Sequence, residues 1–196
     1  MSVEVPLSRF SLIPGLTFLL LLGCGGASAP SFNVTPEPRT VVVGDQLPIS
    51  ATSNEEMGGD LAWEVEEPYG GGLRNSLGPN TVYFAPESAG TYHLVLRADR
   101  ADGHKLKQTV EVKVLPVITV EPASAQVAPG GSVAFTAAVK GLARNTVRWT
   151  VDEPGGGEIS DEGRYQPPAK PGTYHVTAVS TLDSQASARA TVVVAG

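Results

Sequence analysis

From residue 32 onward, apolar side chains fall on every second position. Leu47, Ile49 and Ala51 alternate with polar neighbours, as do Leu61, Trp63 and Val65, then Tyr92, Leu94 and Leu96, then Val110, Val112 and Val114. A period of two belongs to a strand with one buried face. Helical spacing is absent from this part of the chain. Gly, Pro, Asn and Asp break the runs into short pieces, and Gly and Pro together make up about a fifth of the 196 residues, a content that favours turns over long helices. The pattern predicts an antiparallel β-sandwich.

The pattern also repeats. Residues 32–115 and 117–196 align with an offset of 86 that falls to 82 after a longer middle loop in the first copy. "LAWEVEEP" from Leu61 answers "VRWTVDEP" from Val147, and "AGTYHLVLRA" from Ala89 answers "PGTYHVTAVS" from Pro171. Leu47, Ile49 and Ala51 correspond to Val133, Phe135 and Ala137, and the last strands, Val110–Val114 and Ala190–Val194, share their alternation. Trp63 and Trp149 occupy one aligned position, and the pairs Tyr83/Tyr165 and Tyr92/Tyr174 occupy two more. This is a tandem duplication: two modules joined through "VLPVIT" with no Gly/Ser spacer. Pro116 holds Leu115 extended, which predicts a short, semi-rigid connection.

The repeated unit, "V.P....V..G....F.A.V" followed by "V.W.V", "G.Y.P", "PGTY.V.A.S" and a final alternating Val strand, resembles bacterial Ig-like domains of envelope proteins over about four fifths of the chain. The resemblance implies two tandem immunoglobulin-like sandwiches without the antibody-type disulfide, each with its tryptophan filling the core from a central strand. It also sets Tyr92 and Tyr174 where a tyrosine corner directs its hydroxyl to nearby backbone. Such motifs speak for fold and leave function open.

Ahead of the modules, residues 10–22 read "FSLIPGLTFLLLL", the length of a signal-peptide core and too short to span a bilayer. The run ends at Leu21-Leu22-Gly23-Cys24, which resembles the lipobox of bacterial lipoproteins. The resemblance implies a signal peptide over 1–23, acylation (palmitate among the chains) of Cys24 as the mature N-terminus, and a flexible tether over 24–31. Cys24 is the chain's sole cysteine, so it has no intramolecular disulfide partner. An n-region with Arg9 as its one basic residue, alongside Glu4, is weakly positive; a secretory signal followed by an ordinary cysteine is the alternative. Multiple acyl chains on one residue give stable membrane anchoring. Gly25 rather than Asp after the cysteine points to the outer membrane by the enterobacterial rule.

Composition then narrows the chemistry. A formal charge of −6 and the lack of a Lys/Arg patch argue against nucleic acid and anionic lipid headgroups as partners. The run "VDEPGGGEI" from Val151 and its counterpart "VEEPYGGGL" suggest a phosphate cradle, but no helix and no Lys-Ser/Thr follows, and Asp152, Glu153 and Glu158 repel anions. Repetition with the module makes Gly70–Gly72 and Gly155–Gly157 turns. Calcium is the rival reading for the acids Asp152, Glu153, Asp161 and Glu162 in one module and Glu55, Glu56, Asp60, Glu66 and Glu67 in the other; neither group has the DxDxDG register, so solvated loop acids are expected. Strand alternation turns His93 and His175 outward, and His104 sits in a hairpin beside Asp102. The sequon Asn33-Val34-Thr35 matters only in a eukaryotic secretory pathway, against which the lipobox argues.

No HExxH or GxSxG is present, so no enzyme, cofactor, metal or small-molecule substrate is expected. The chain reads as an envelope lipoprotein held to the membrane at Cys24, with two non-catalytic modules that bind protein or glycan. The alternative is a structural spacer or assembly component. Tyr69, read as inserted ahead of the three glycines, is the one clear loop aromatic, and the longer loop "LRNSLGPN" from Leu73 to Asn80 is the main difference between the copies.

Overall fold

The computed structural model describes residues 31–54, 56–57 and 59–196. The signal-peptide and lipidation assignments, Cys24 included, lie outside the described residues, as does Glu55. The described chain is all-β, a tandem of immunoglobulin-like sandwiches. The first module comprises β1 (Phe32–Thr35), β2 (Thr40–Val42), β3 (Gln46–Ser53), β4 (Ala62–Val65), β5 (Gly72–Leu73), β6 (Asn80–Phe84), β7 (Gly90–Asp99) and β8 (Lys105–Leu115). Its two sheets have strand orders β1-β3-β6-β5 and β2-β8-β7-β4.

The second module continues with β9 (Val117–Glu121), β10 (Ser124–Val127), β11 (Val133–Ala134), β12 (Thr136–Lys140), β13 (Val147–Val151), β14 (Glu158–Ile159), β15 (Arg164–Gln166), β16 (Gly172–Ser180) and β17 (Ser187–Val194). Here β10-β17-β16-β13 form one sheet, and the facing layer is divided into β12-β9 and β11-β15-β14. Each module opens with a strand that crosses layers. β1 pairs antiparallel with β3, and then β2 pairs parallel with β8. β9 and β10 repeat the crossing against β12 and β17.

Inward-facing residues of the two layers interdigitate in two separate cores. Val34, Ile49, Trp63, Tyr83, Leu94, Leu96 and Val112 are buried in the first. Val120, Phe135, Trp149, Tyr165, Val176 and Val192 are buried in the second. The alternation that predicts the strands is the alternation that fills these cores. Burying a large apolar side chain stabilises by roughly 1.5–3 kcal/mol, and neither core contains a cysteine.

The tryptophans do not sit on a central strand. β4 and β13 are sheet edges, because after each the chain turns into the opposite layer instead of adding a neighbour. Both indoles are nonetheless buried, since their inward faces lie between the layers. The modules touch through the Ala89 N–H, which donates to the Gly141 carbonyl at 2.8 Å. Gly141 adopts φ +90°, and a Cβ there would fall 2.6 Å from a Val43 methyl, so the contact depends on glycine.

Candidate functional site

The glycine runs lie in turns, and every glycine in them except Gly72 meets a geometric need. Gly70 N–H donates to the Glu67 carbonyl at 3.0 Å, and Gly156 N–H to that of Glu153 at 2.9 Å. Pro68 and Pro154 hold the next corner, and the third residue has positive φ: 68° at Tyr69 and 72° at Gly155. This is the pattern of a type II turn, which favours glycine at that place. Tyr69 therefore replaces Gly155 rather than being inserted, and the copies stay in register through the turn.

At the following position a Cβ would lie 3.1 Å from the Tyr92 ring at Gly70 and 3.0 Å from the Tyr174 ring at Gly156. One residue further, a Cβ would fall 2.2 Å from the Phe84 carbonyl oxygen at Gly71 and from the Gln166 carbonyl oxygen at Gly157. Close backbone approach, rather than anion binding, requires these glycines.

The turn is tied to the core by buried hydroxyls. Tyr83 donates to the Gly70 carbonyl and Tyr165 to that of Gly156, each at 2.5 Å. Burial pushes both phenols above their ordinary range, so both remain protonated donors. Tyr92 donates to the Ser88 carbonyl at 2.9 Å and Tyr174 to that of Lys170 at 3.0 Å. These are the two tyrosine corners that the resemblance implies.

His93 and His175 face outward as alternation requires, but they are not simply solvated. Glu67 Oε2 accepts from the His93 backbone N–H at 2.9 Å, while Oε1 meets His93 Nδ1 at 2.5 Å. Glu153 clasps His175 in the same two-pronged way, at 2.7 and 2.5 Å. Burial raises the Glu67 carboxyl, but the His93 amide and ring outweigh it and hold the group below its usual range. Glu153 is lowered first by the His175 ring. His93 is raised chiefly by Glu67, with Glu111 and Glu66 adding to the field.

Of the acids that could serve calcium, Glu67 and Glu153 are thus held in the clasps. Asp152 accepts from the Thr177 hydroxyl at 2.8 Å and pairs with Arg189 at 2.6 Å. Glu56, Asp60, Asp161 and Glu162 are exposed. Among the described residues no three His, Cys, Asp or Glu side chains come together to hold a metal. His104 donates its backbone N–H to Asp102 in the hairpin between β7 and β8. Both clasps have a sequence signal, "E-P" or "D-E-P" followed at matching aligned positions by "TYH", which strand alternation alone does not interpret.

What remains free of a folding task is the tip of the first turn. Tyr69 is 95% exposed, a bulky residue in the left-handed region with no burial to offset the strain. Behind it, the longer loop closes the edge of β4. Trp63 N–H donates to the Ser76 carbonyl, Gly78 N–H to the Leu61 carbonyl, and Trp63 Nε1–H to the Gly78 carbonyl at 3.0 Å.

No protein-family model and no characterised protein matches the chain by sequence. Among solved structures, it is similar to a C-terminal intimin fragment in complex with the intimin-binding domain of its translocated receptor. That match has 16% identity and a TM-score of 0.45, covering 84% of this chain and 63% of that one. The insect immune protein hemolin matches at 16% identity and TM-score 0.47, over 88% of this chain and 48% of the other. The Yersinia pseudotuberculosis adhesin InvE matches at 16% and 0.36, over 85% and 59%. The chain spans between about half and two thirds of the length of these structures.

Proposed function

We propose that this chain is a bacterial envelope lipoprotein, acylated at Cys24 and held at the outer membrane, whose two Ig-like modules form a non-catalytic arm that binds a protein or glycan. Tyr69 carries the binding part of this reading. A non-glycine residue in the left-handed region costs roughly 1–2 kcal/mol, and at 95% exposure the ring returns none of it to the fold. Strain of this kind collects at functional positions, and tyrosine is enriched where proteins bind. The histidines, buried phenols and glycines are engaged in turns and clasps, which supports a non-catalytic role.

The test displays the full chain on cells and measures their retention on host-protein and glycan surfaces. Tyr69→Gly should reduce retention at least tenfold without lowering the melting temperature; unchanged retention would remove the tyrosine from the reading. Labelling with radioactive palmitate tests the anchor separately: label on the natural chain and none on Cys24→Ser is expected, and an unlabelled natural chain would refute acylation. A spacer role is favoured by one observation, the Ala89–Gly141 hydrogen bond beside Pro116, which limits rotation between the modules.

A further inference from the structure

The two copies differ most at the outer edge of the tryptophan strand. In the first module the loop behind β5 lies along that edge: the Ser76, Gly78 and Pro79 carbonyls and the Gly78 N–H make four bonds, to Trp63 N–H, Trp63 Nε1–H, Ala51 N–H and the Leu61 carbonyl. Leu77 bridges Ala62 in antiparallel sense. The second module is four residues shorter here and turns tightly, with Gly163 N–H donating to the Ser160 carbonyl.

The four corresponding groups are the Trp149 N–H, the Trp149 Nε1–H, the Ala137 N–H and the Val147 carbonyl. Thr181 N–H donates to Thr146, and Asp152 N–H donates to His175. Odd-numbered residues of β13 therefore direct their backbone groups away from β16. Val139 N–H, bonded to Asn145 Oδ1, shows that Ala137, two residues earlier, likewise turns its N–H away from β9. Among the described residues none of these four groups has a protein partner. They line a cleft of about 360 Å³, with Asp161 and Glu162 at its mouth. Trp149 as a whole residue is 8% exposed, and its unpartnered indole N–H opens into the cleft.

We infer that this edge is a docking site for an extended segment of a partner protein. The segment pairs antiparallel to Val147–Val151, offers three carbonyls and an N–H to the Trp149, Ala137 and Val147 groups, and directs a basic side chain toward Asp161 and Glu162. The chain itself shows what such a cleft accepts: the first module fills its equivalent with Asn75-Ser76-Leu77-Gly78-Pro79. Main-chain bonds supply the affinity of such strand addition, and the side chains supply its selectivity. The site deepens the binding-module reading and rests on it.

The probe is a synthetic peptide of the chain's own segment, RNSLGPN, added to the full chain in detergent micelles with 15N-labelled tryptophan. The two tryptophans give two indole signals. The Trp149 signal should move saturably while that of Trp63 stays in place, and hydrogen exchange at the Ala137 amide should slow at least tenfold. A peptide with the Arg→Glu change should bind several-fold more weakly. Replacing residues 159–162 by the sequence of 73–80 should fill the cleft and abolish the shift.

No movement at millimolar peptide, equal movement of both signals, or concentration-dependent dimers that already protect Ala137 would each overturn the site. The titration of the unaltered chain decides even where the graft fails to fold. Surface retention that depends on Tyr69 but survives the graft, with no peptide shift, would remove this edge and leave the binding reading standing. A positive titration without Tyr69-dependent retention would do the reverse.

Discussion

Replacing Tyr165 by Phe removes one oxygen and keeps the ring. That ring is fully buried and sits 6.4 Å, centroid to centroid, from Phe135 in an edge-on contact, so packing survives the change. What disappears is the donor to the Gly156 carbonyl, an acceptor in a buried turn residue. Leaving a buried polar group unpaired costs about 1–3 kcal/mol. The module around it spans residues 117–196, and for a domain of that size each kcal/mol lowers the melting temperature by roughly 4–8 °C. Tyr165→Phe should therefore lower the second module's transition by roughly 4–24 °C. Tyr83→Phe should do the same to the first module through Gly70. Scanning calorimetry of the full chain, with urea unfolding for the free energy, measures both. A loss below ~0.5 kcal/mol in either variant would refute the claim that these hydroxyls hold the glycine turns to the core.

Gly157→Ala places a Cβ against the Gln166 carbonyl at φ +99° and should cost at least about 2–4 kcal/mol. Gly72→Ala, with nothing within 4 Å, should stay within ~0.5 kcal/mol in the same urea titration. The Glu67–His93 clasp makes stability depend on pH in both directions. The lowered Glu67 and Glu153 carboxyls stabilise above their unfolded value near 4.3 and lose that contribution as pH falls through their folded values. The raised His93 stabilises fully below about 6.5 and loses its contribution as pH rises through its folded value. Melting temperatures from pH 3 to 9 should thus peak at mildly acidic pH, and His93→Asn should flatten the alkaline limb; an unchanged limb would contradict the clasp. Gly141→Val drives a side chain into Val43 and should widen the spin-label distance distribution between the modules while leaving each module's melting temperature within a few degrees.

The sandwich, the duplication and the tyrosine corners were legible because they rest on period-two burial and on side chains repeated at fixed intervals. Position within a sheet was not: alternation says that Trp63 faces a core but is identical for an edge and a central strand, and only the pairing of β4 with β7 alone separates them. Tyr69 looked like an insertion because "YGGG" and "GGG" align equally well by eye. The matching φ values of Tyr69 and Gly155 decide the register. The histidine clasps were hidden for a different reason. Glu67 and His93 are 26 residues apart, and their meeting depends on where the turn brings the carboxylate, which no local pattern encodes. The longer loop marks the divergence of the copies in sequence, but its meaning inverts in three dimensions: it closes the copy that has it, and its absence leaves the other open.

The parallel pairing of β2 with β8, through Thr40–Lys113, Val41–Val114 and Val42–Leu115, has a mechanical consequence. A pull on the two ends of the module draws β2 toward its start and β8 toward its finish, so the strands are dragged past each other along their length. Their hydrogen bonds are then loaded in shear, all at once, instead of being peeled one by one. The pairing of β10 with β17 sets the same arrangement in series. Under tension each module behaves as a clamp rather than a zip.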